Sequence, residues 1–152
     1  MAASASFAAL LQAYQAALYE VEVNAQLFVI RIGQPLAAAI DAHLAARGVD
    51  VAAFLTAANP GSRRCGAKEN AKRHAELLQA LAELRVPWLR GNGRDANGEW
   101  PAEPSVLALG LERQQAMRLA EQFEQNAYVE VARGMPARLV LTAHWGTASE
   151  LP

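Results

Sequence analysis

The chain has 152 residues, 53% of them hydrophobic and 19% charged, with a formal net charge of −1. That size and balance suit one globular domain with one core, and they exclude a disordered or fibrous chain. A single cysteine, Cys65, excludes an internal disulfide and a zinc centre of the multi-cysteine type.

Residues 5–18 carry Phe7, Leu10, Leu11, Tyr14 and Leu18 close to a 3.6 period, which predicts an amphipathic helix. With no basic stretch ahead of it, this segment is not expected to act as a secretory signal. Residues 19–23 alternate Tyr, Glu, Val, Glu, Val, the pattern of a strand with one wet face. After a short turn at residues 24–26, residues 27–32 form a β-branched run expected to be a more buried strand, and the two runs suit a hairpin. Pro35 fits the first turn of a helix that sets Leu36, Ala39, Ile40, His43 and Leu44 on one face and ends at Gly48.

Residues 51–58 are continuously apolar, as expected of a central strand. They run into Asn59-Pro60-Gly61-Ser62-Arg63-Arg64 and then into the longest periodic segment, a helix over 67–85. Residues 86–90 read as a short strand. Residues 91–98 read as a glycine- and asparagine-rich loop in which Asn97-Gly98 suits a type I′ turn. Residues 99–104 are expected to be irregular, because Pro101 and Pro104 would each remove a ladder donor. A strand over 105–111 precedes a helix over 112–123 with Ala116, Leu119, Ala120 and Phe123 facing inward. Residues 126–132 form a strand, Gly134-Met135-Pro136 turns the chain, and residues 139–141 close it with another.

The resulting order, α-β-β-α-β-α-β-β-α-β-β, indicates an α+β fold bordering on α/β. It is expected to be a single domain over 1–152, with an ordered core of about 5–142 and one mixed sheet with antiparallel edges and helices packed on it. No stretch approaches the roughly 20 apolar residues that span a bilayer. Membrane association is therefore not expected, and a cytoplasmic location is.

The strand-to-helix loop is the strongest candidate site. Asn59 tolerates left-handed backbone, Pro60 presets φ and Gly61 allows positive φ. A helix N-terminus just beyond such a turn favours anions. Asn70, Arg73, Leu77, Leu81 and Leu84 share one helix face, so Asn70 and Arg73 point inward beside the loop. Buried polar groups need partners. For Arg73 the partner is either a protein carboxylate, with Glu103 the candidate, or a phosphate or carboxylate ligand, since its fork suits both. Charge adds to this: eight basic residues between Arg63 and Arg94 meet three acidic ones, whereas elsewhere six bases meet twelve acids. The local excess is either a solvated helix face with pairs such as Glu69–Arg73 or a field that draws anions.

Glu103 is also the one plausible general acid or base. Ser105 follows it, and Gln125, with no evident structural duty, joins the candidates, while Asn126 reads as a helix C-cap. Trp88 and Trp100 read as core or rim aromatics. Cys65 reads as incidental, although His74 lies one helix turn from Asn70 and within reach of a Cys–His pairing. His43, His74 and His144 lie far apart, so no metal and no cofactor is expected.

Together these blocks resemble a family of small bacterial proteins known only as a domain of unknown function. Its pattern is a strand ending in Thr-Ala-x-Asn-Pro-x-Ser, a helix with Asn and often Arg, a Trp-x-Glu-x-Ser segment before a strand, and Phe-x-Gln-x-Ala near the last helix. Here the corresponding residues are Thr56, Asn59, Pro60 and Ser62; Asn70 and Arg73; Trp100, Glu103 and Ser105; and Phe123, Gln125 and Ala127. The resemblance spans roughly residues 10 to 142, with Cys65-Gly66 where a polar helix-start residue is usual. It implies these site residues and no activity.

Two function classes follow. One is a binder of a small anionic ligand (nucleotide, phosphate or carboxylate) held by Asn59, Ser62, Arg63, Asn70 and Arg73, with Glu103, Ser105 and Gln125 alongside. The other is a regulatory module whose basic face docks an acidic protein partner. Nucleic acid is not the expected partner, because net charge is near zero and aromatics do not interleave with the bases.

Overall fold

The computed structural model describes residues 7–99 and 101–143; Trp100 and His144 lie outside them. The elements follow the expected order: α1 (Phe7–Ala16), β1 (Leu18–Val23), β2 (Gln26–Ile30), α2 (Ala38–Ala46), β3 (Val51–Thr56), a 3-10 turn (Pro60–Ser62), α3 (Ala67–Glu83), β4 (Trp88–Arg94), β5 (Glu103–Leu109), α4 (Arg113–Gln122), β6 (Ala127–Ala132) and β7 (Arg138–Leu141). The fold is α+β. Among the described residues no helix is long and apolar enough to cross a membrane.

The seven strands form one sheet in the order β2-β1-β4-β5-β3-β6-β7. Antiparallel pairing runs through every ladder rather than the edges alone, and among the described residues the one parallel contact is an isolated bridge between Ile32 and Ala137. That bridge has a consequence for shape. The Gly33 N–H donates to the Ala137 carbonyl at 2.8 Å, and the Ala137 N–H donates to the Gln34 carbonyl at 3.2 Å. The sheet therefore curls until the segment after β2 meets the one before β7. Strand alternation then sorts side chains to a concave and a convex face.

Tyr19, Val21, Ile30, Phe54, Leu107 and Val129 pack on the concave side, where Ile40 and Leu44 of α2 plug one end. The convex side buries Leu55, Val106 and Ala108 under Leu77 and Leu81 of α3 and Leu119 of α4. The helices α2, α3 and α4 end alike. Val49, Val86 and Gln125 each donate five residues back (to Leu44, Leu81 and Ala120), and Gly48, Arg85 and Glu124 take the left-handed turn between.

Five local expectations change. The β2 strand is an edge with Leu27 and Val29 exposed, not the more buried partner, because no helix among the described residues covers the convex face there. Trp88 is likewise exposed at the start of β4. The strand β5 begins at Glu103 and includes Pro104, which a strand tolerates near its start. Asn97-Gly98 is not a type I′ pair: only Gly98 has positive φ, and Asp95 organises the turn by accepting from the Asn97 and Glu99 N–H groups.

The fifth change concerns the glycine segment, which starts as strand rather than loop. A Cβ on Gly91 would lie 2.6 Å from the Glu20 carbonyl oxygen and 3.0 Å from the Phe54 ring. Glycine is required because two neighbours close on it, one of them backbone. Gly91→Ala is expected to lower stability by about 1–3 kcal/mol, the usual range for overpacking. Chemical denaturation checks this, and a loss under about 0.5 kcal/mol, the scale of an ordinary surface change, would contradict the close approach.

Candidate functional site

The loop after β3 is held in a conformation few side chains favour. Asn59, Gly61 and Ser62 all have positive φ, at 49°, 63° and 63°. The Gly61 N–H donates to the Glu124 carbonyl at 2.7 Å, fastening the loop to the turn after α4. Asn59 is the hub. Its Oδ1 accepts from the Cys65 N–H (2.8 Å) and from Asn70 Nδ2 (3.0 Å), while its own N–H donates to Asn70 Oδ1 (2.9 Å). Its Nδ2 donates to Glu103 Oε2 at 2.5 Å.

Arg73 points inward as its helix phase predicts, but Glu103 is not its partner. Its Nε donates to the Ala57 carbonyl and its Nη2 to the Phe123 carbonyl, both at 2.6 Å. Its Nη1 lies 3.8 Å from Glu124 Oε1. The guanidinium ties α3 to the end of β3 and the end of α4. Gln125 does have a structural duty: its Nε2 donates to the Ala58 and Phe123 carbonyls. Asn126 is not the cap, since Glu124 takes the left-handed position. Its Nδ2 donates to Ser62 Oγ at 2.9 Å. Arg63 is exposed.

A cleft of about 410 Å³ opens at the end of the curled sheet opposite α2, between the concave face and α1. Leu10, Ala13 and Tyr14 of α1 line one wall, and Phe54, Gly93 and Val129 line the sheet side. Asn59, Ser62, Glu103, Ser105 and Gln125 all border it; Arg63, Asn70 and Arg73 do not. A smaller cavity of about 160 Å³ lies beside it, sharing Asn59 and Glu103 and lined further by Arg64, Asn70 and the first turn of α3.

Tyr14 belongs to this site, and sequence reasoning placed it only on a helix face. Its hydroxyl shares a 3.1 Å hydrogen bond with Ser62 Oγ, and its carbonyl accepts from the Tyr19 hydroxyl at 2.5 Å. These contacts hold α1 over the cleft, since no residue of α1 is fully buried. An amphipathic helix that keeps a tyrosine on its apolar face was the available signal.

Burial pushes the Glu103 carboxyl above the usual glutamate range, and the Asn59 bond opposes that only in part. Burial also raises Tyr14, against its Ser62 bond, and raises Tyr19 strongly, so both hydroxyls keep their protons. Ser105 Oγ donates to the Glu103 carbonyl oxygen at 3.0 Å. No Cys–His pair forms among the described residues. Partial desolvation and Glu69 push the Cys65 thiol up, burial and Arg90 push His74 down, and His74 Nδ1 is buried without a described partner.

Residues 55–128 match the family model described as a protein of unknown function (DUF3293). The resemblance to a domain of unknown function therefore holds for that stretch, which runs from inside β3 to inside β6. It contains Asn59, Ser62, Arg63, Asn70, Arg73, Glu103, Ser105 and Gln125 but not α1 with Tyr14. No curated protein and no solved structure matches the chain.

Proposed function

We propose that the chain binds a small, partly apolar organic molecule in the cleft beneath α1, with Glu103 as its polar anchor. One observation carries this reading. Glu103 Oε2 is taken by Asn59, whereas among the described residues no side chain or backbone group donates to Oε1, and the carboxyl borders the cleft. A cleft of several hundred cubic ångströms, largely apolar with a few converging polar groups, is the usual form of a small-molecule site. Should the bound molecule be transformed, Glu103 is the group suited to carry a proton.

The test is thermal denaturation of the full chain against a broad metabolite panel. A ligand at about 100 times its Kd stabilises by about 2.7 kcal/mol, or roughly 5–10 °C for a chain of this size. Both Glu103→Gln and Ala13→Phe, which fills the cleft from α1, should remove the shift. A panel without shifts, or shifts that survive both substitutions, would overturn the reading.

A second reading keeps the anionic ligand but moves it. Arg73 is spent on backbone carbonyls and Arg63 borders neither cavity, so what favours an anion is Arg64 with the first turn of α3 at the smaller cavity. In that case stabilisation by inorganic phosphate is lost in Arg64→Ala and survives Glu103→Gln.

A further inference from the structure

Resting on the reading of the cleft as a ligand site, we infer that its ligand presents an ammonium group to Glu103, seated in the notch left by Gly93 beside Ser105. Gly93 has no backbone need to be glycine. It sits in β4, opposite Glu103 of β5, without the left-handed φ that would demand it. What its missing side chain leaves is space. A Cβ there would lie 3.6 Å from Glu103 Oε1 and 3.8 Å from Ser105 Oγ, with nothing nearer. Both oxygens accept. Oε1 has no described donor, and Ser105 Oγ spends its proton on the Glu103 carbonyl, so its lone pairs remain for the notch. An ammonium carries three donors and a positive charge, which such a pair of acceptors suits.

The charges around the cleft point the same way. Its border holds Asp95, Glu99 and Glu103 against one base, Arg94, and Arg94 reaches Glu20 at 3.5 Å. Both Asp95 oxygens accept backbone N–H groups of their own turn. Glu103 is thus a carboxyl in a largely apolar recess that forms no ion pair with a cation among the described residues, an arrangement that a ligand cation completes. The rings of Tyr14, Tyr19 and Phe54 line the same space. They offer an apolar bed for the rest of the molecule and π faces that favour a positive charge.

The groups facing Glu103 set the pH dependence. They are Tyr14 from α1, Tyr19 from β1, Arg94 from β4, Asp95 and Glu99 from the loop beyond it, Tyr128 from β6, and Arg64 and Cys65 from the smaller cavity. An ammonium needs Glu103 ionised, so amine affinity falls as pH drops through the raised glutamate range. A carbonyl ligand accepting from the protonated acid behaves in the opposite sense.

The experiment is calorimetric titration of the full chain with aryl and alkyl primary amines, phenethylamine first, beside isosteric phenethyl alcohol and phenylpropionate. Gly93→Ala is the decisive variant. Its added methyl meets neighbours at ordinary contact distance, so the fold holds while the notch is filled. Losing a charge-assisted hydrogen bond weakens binding about 10- to 100-fold, and that loss is expected for Gly93→Ala and for Glu103→Gln. Amine affinity unchanged in a folded Gly93→Ala, or alcohol or carboxylate binding as tightly as amine, would overturn the ammonium assignment and leave the cleft reading standing. Failure of every class to bind would remove both.

Discussion

Arg73→Ala lowers the stability of the chain by about 3 kcal/mol, with a fall in Tm of about 6–12 °C. The loss arises at two carbonyls. Ala57 lies just past β3, and Phe123 closes α4, where helix carbonyls have no partner within the helix. The guanidinium satisfies both at 2.6 Å from a side chain that is 17% exposed. Gln125 still donates to the Phe123 oxygen after the substitution, but no other donor from the described residues reaches the Ala57 oxygen. Lysine should rescue little, because a single ammonium does not reproduce a planar fork serving two separated acceptors. Glu124, half exposed and 3.8 Å away, contributes under about 1 kcal/mol, so Glu124→Gln should be nearly silent. Urea denaturation of the three variants checks the set. A loss below about 1 kcal/mol for Arg73→Ala, no more than one average hydrogen bond, would mean that the arginine is not a brace.

Asn59→Ala is expected to cost a similar amount, about 3 kcal/mol, from three lost side-chain hydrogen bonds and the strain of alanine at φ 49°. The cost should also depend on pH. Glu103 titrates above the ordinary glutamate value in the folded chain, so the folded state holds more protons than the unfolded state between the two values. Stability therefore falls as pH rises through that interval and levels off beyond it. Asn59 donates to the charged carboxylate and keeps the interval narrow. Without it the interval widens upward, and the gap between wild type and Asn59→Ala grows from about pH 4 to about pH 8. Denaturation at both ends measures the gap. An equal gap at both would show that Asn59 does not steady the Glu103 charge.

Both substitutions act on residues named from the sequence, yet the partners of Arg73 are not those the sequence suggested. Arg73 was legible as inward because it shares a helical face with Leu77 and Leu81, a property of spacing alone. Its partners were not legible. Backbone carbonyls leave no trace in side-chain identity, so the sequence offers only a carboxylate such as Glu103 or a ligand anion as the partner. Asn59 was legible as a turn residue because asparagine tolerates positive φ. Its bond to Glu103 spans 44 positions and depends on β3 and β5 lying side by side. Gly91 and Gly93 read as loop because glycine usually breaks strands. In β4 they are strand residues, the first forced by the Glu20 carbonyl and Phe54, the second facing the cleft.

By itself the sequence determined the order of elements, the buried faces of the helices and the cluster around residues 56–73. Those follow from the 3.6 and 2.0 periods and from turn chemistry, which act over a few residues. Only the tertiary structure decided that the sheet curls until Ile32 meets Ala137, that α1 lays Tyr14 against Ser62 from 48 positions away, and that Glu103 borders a cleft instead of pairing with Arg73. Such contacts depend on how distant strands register and pack, and no local pattern in the chain encodes that.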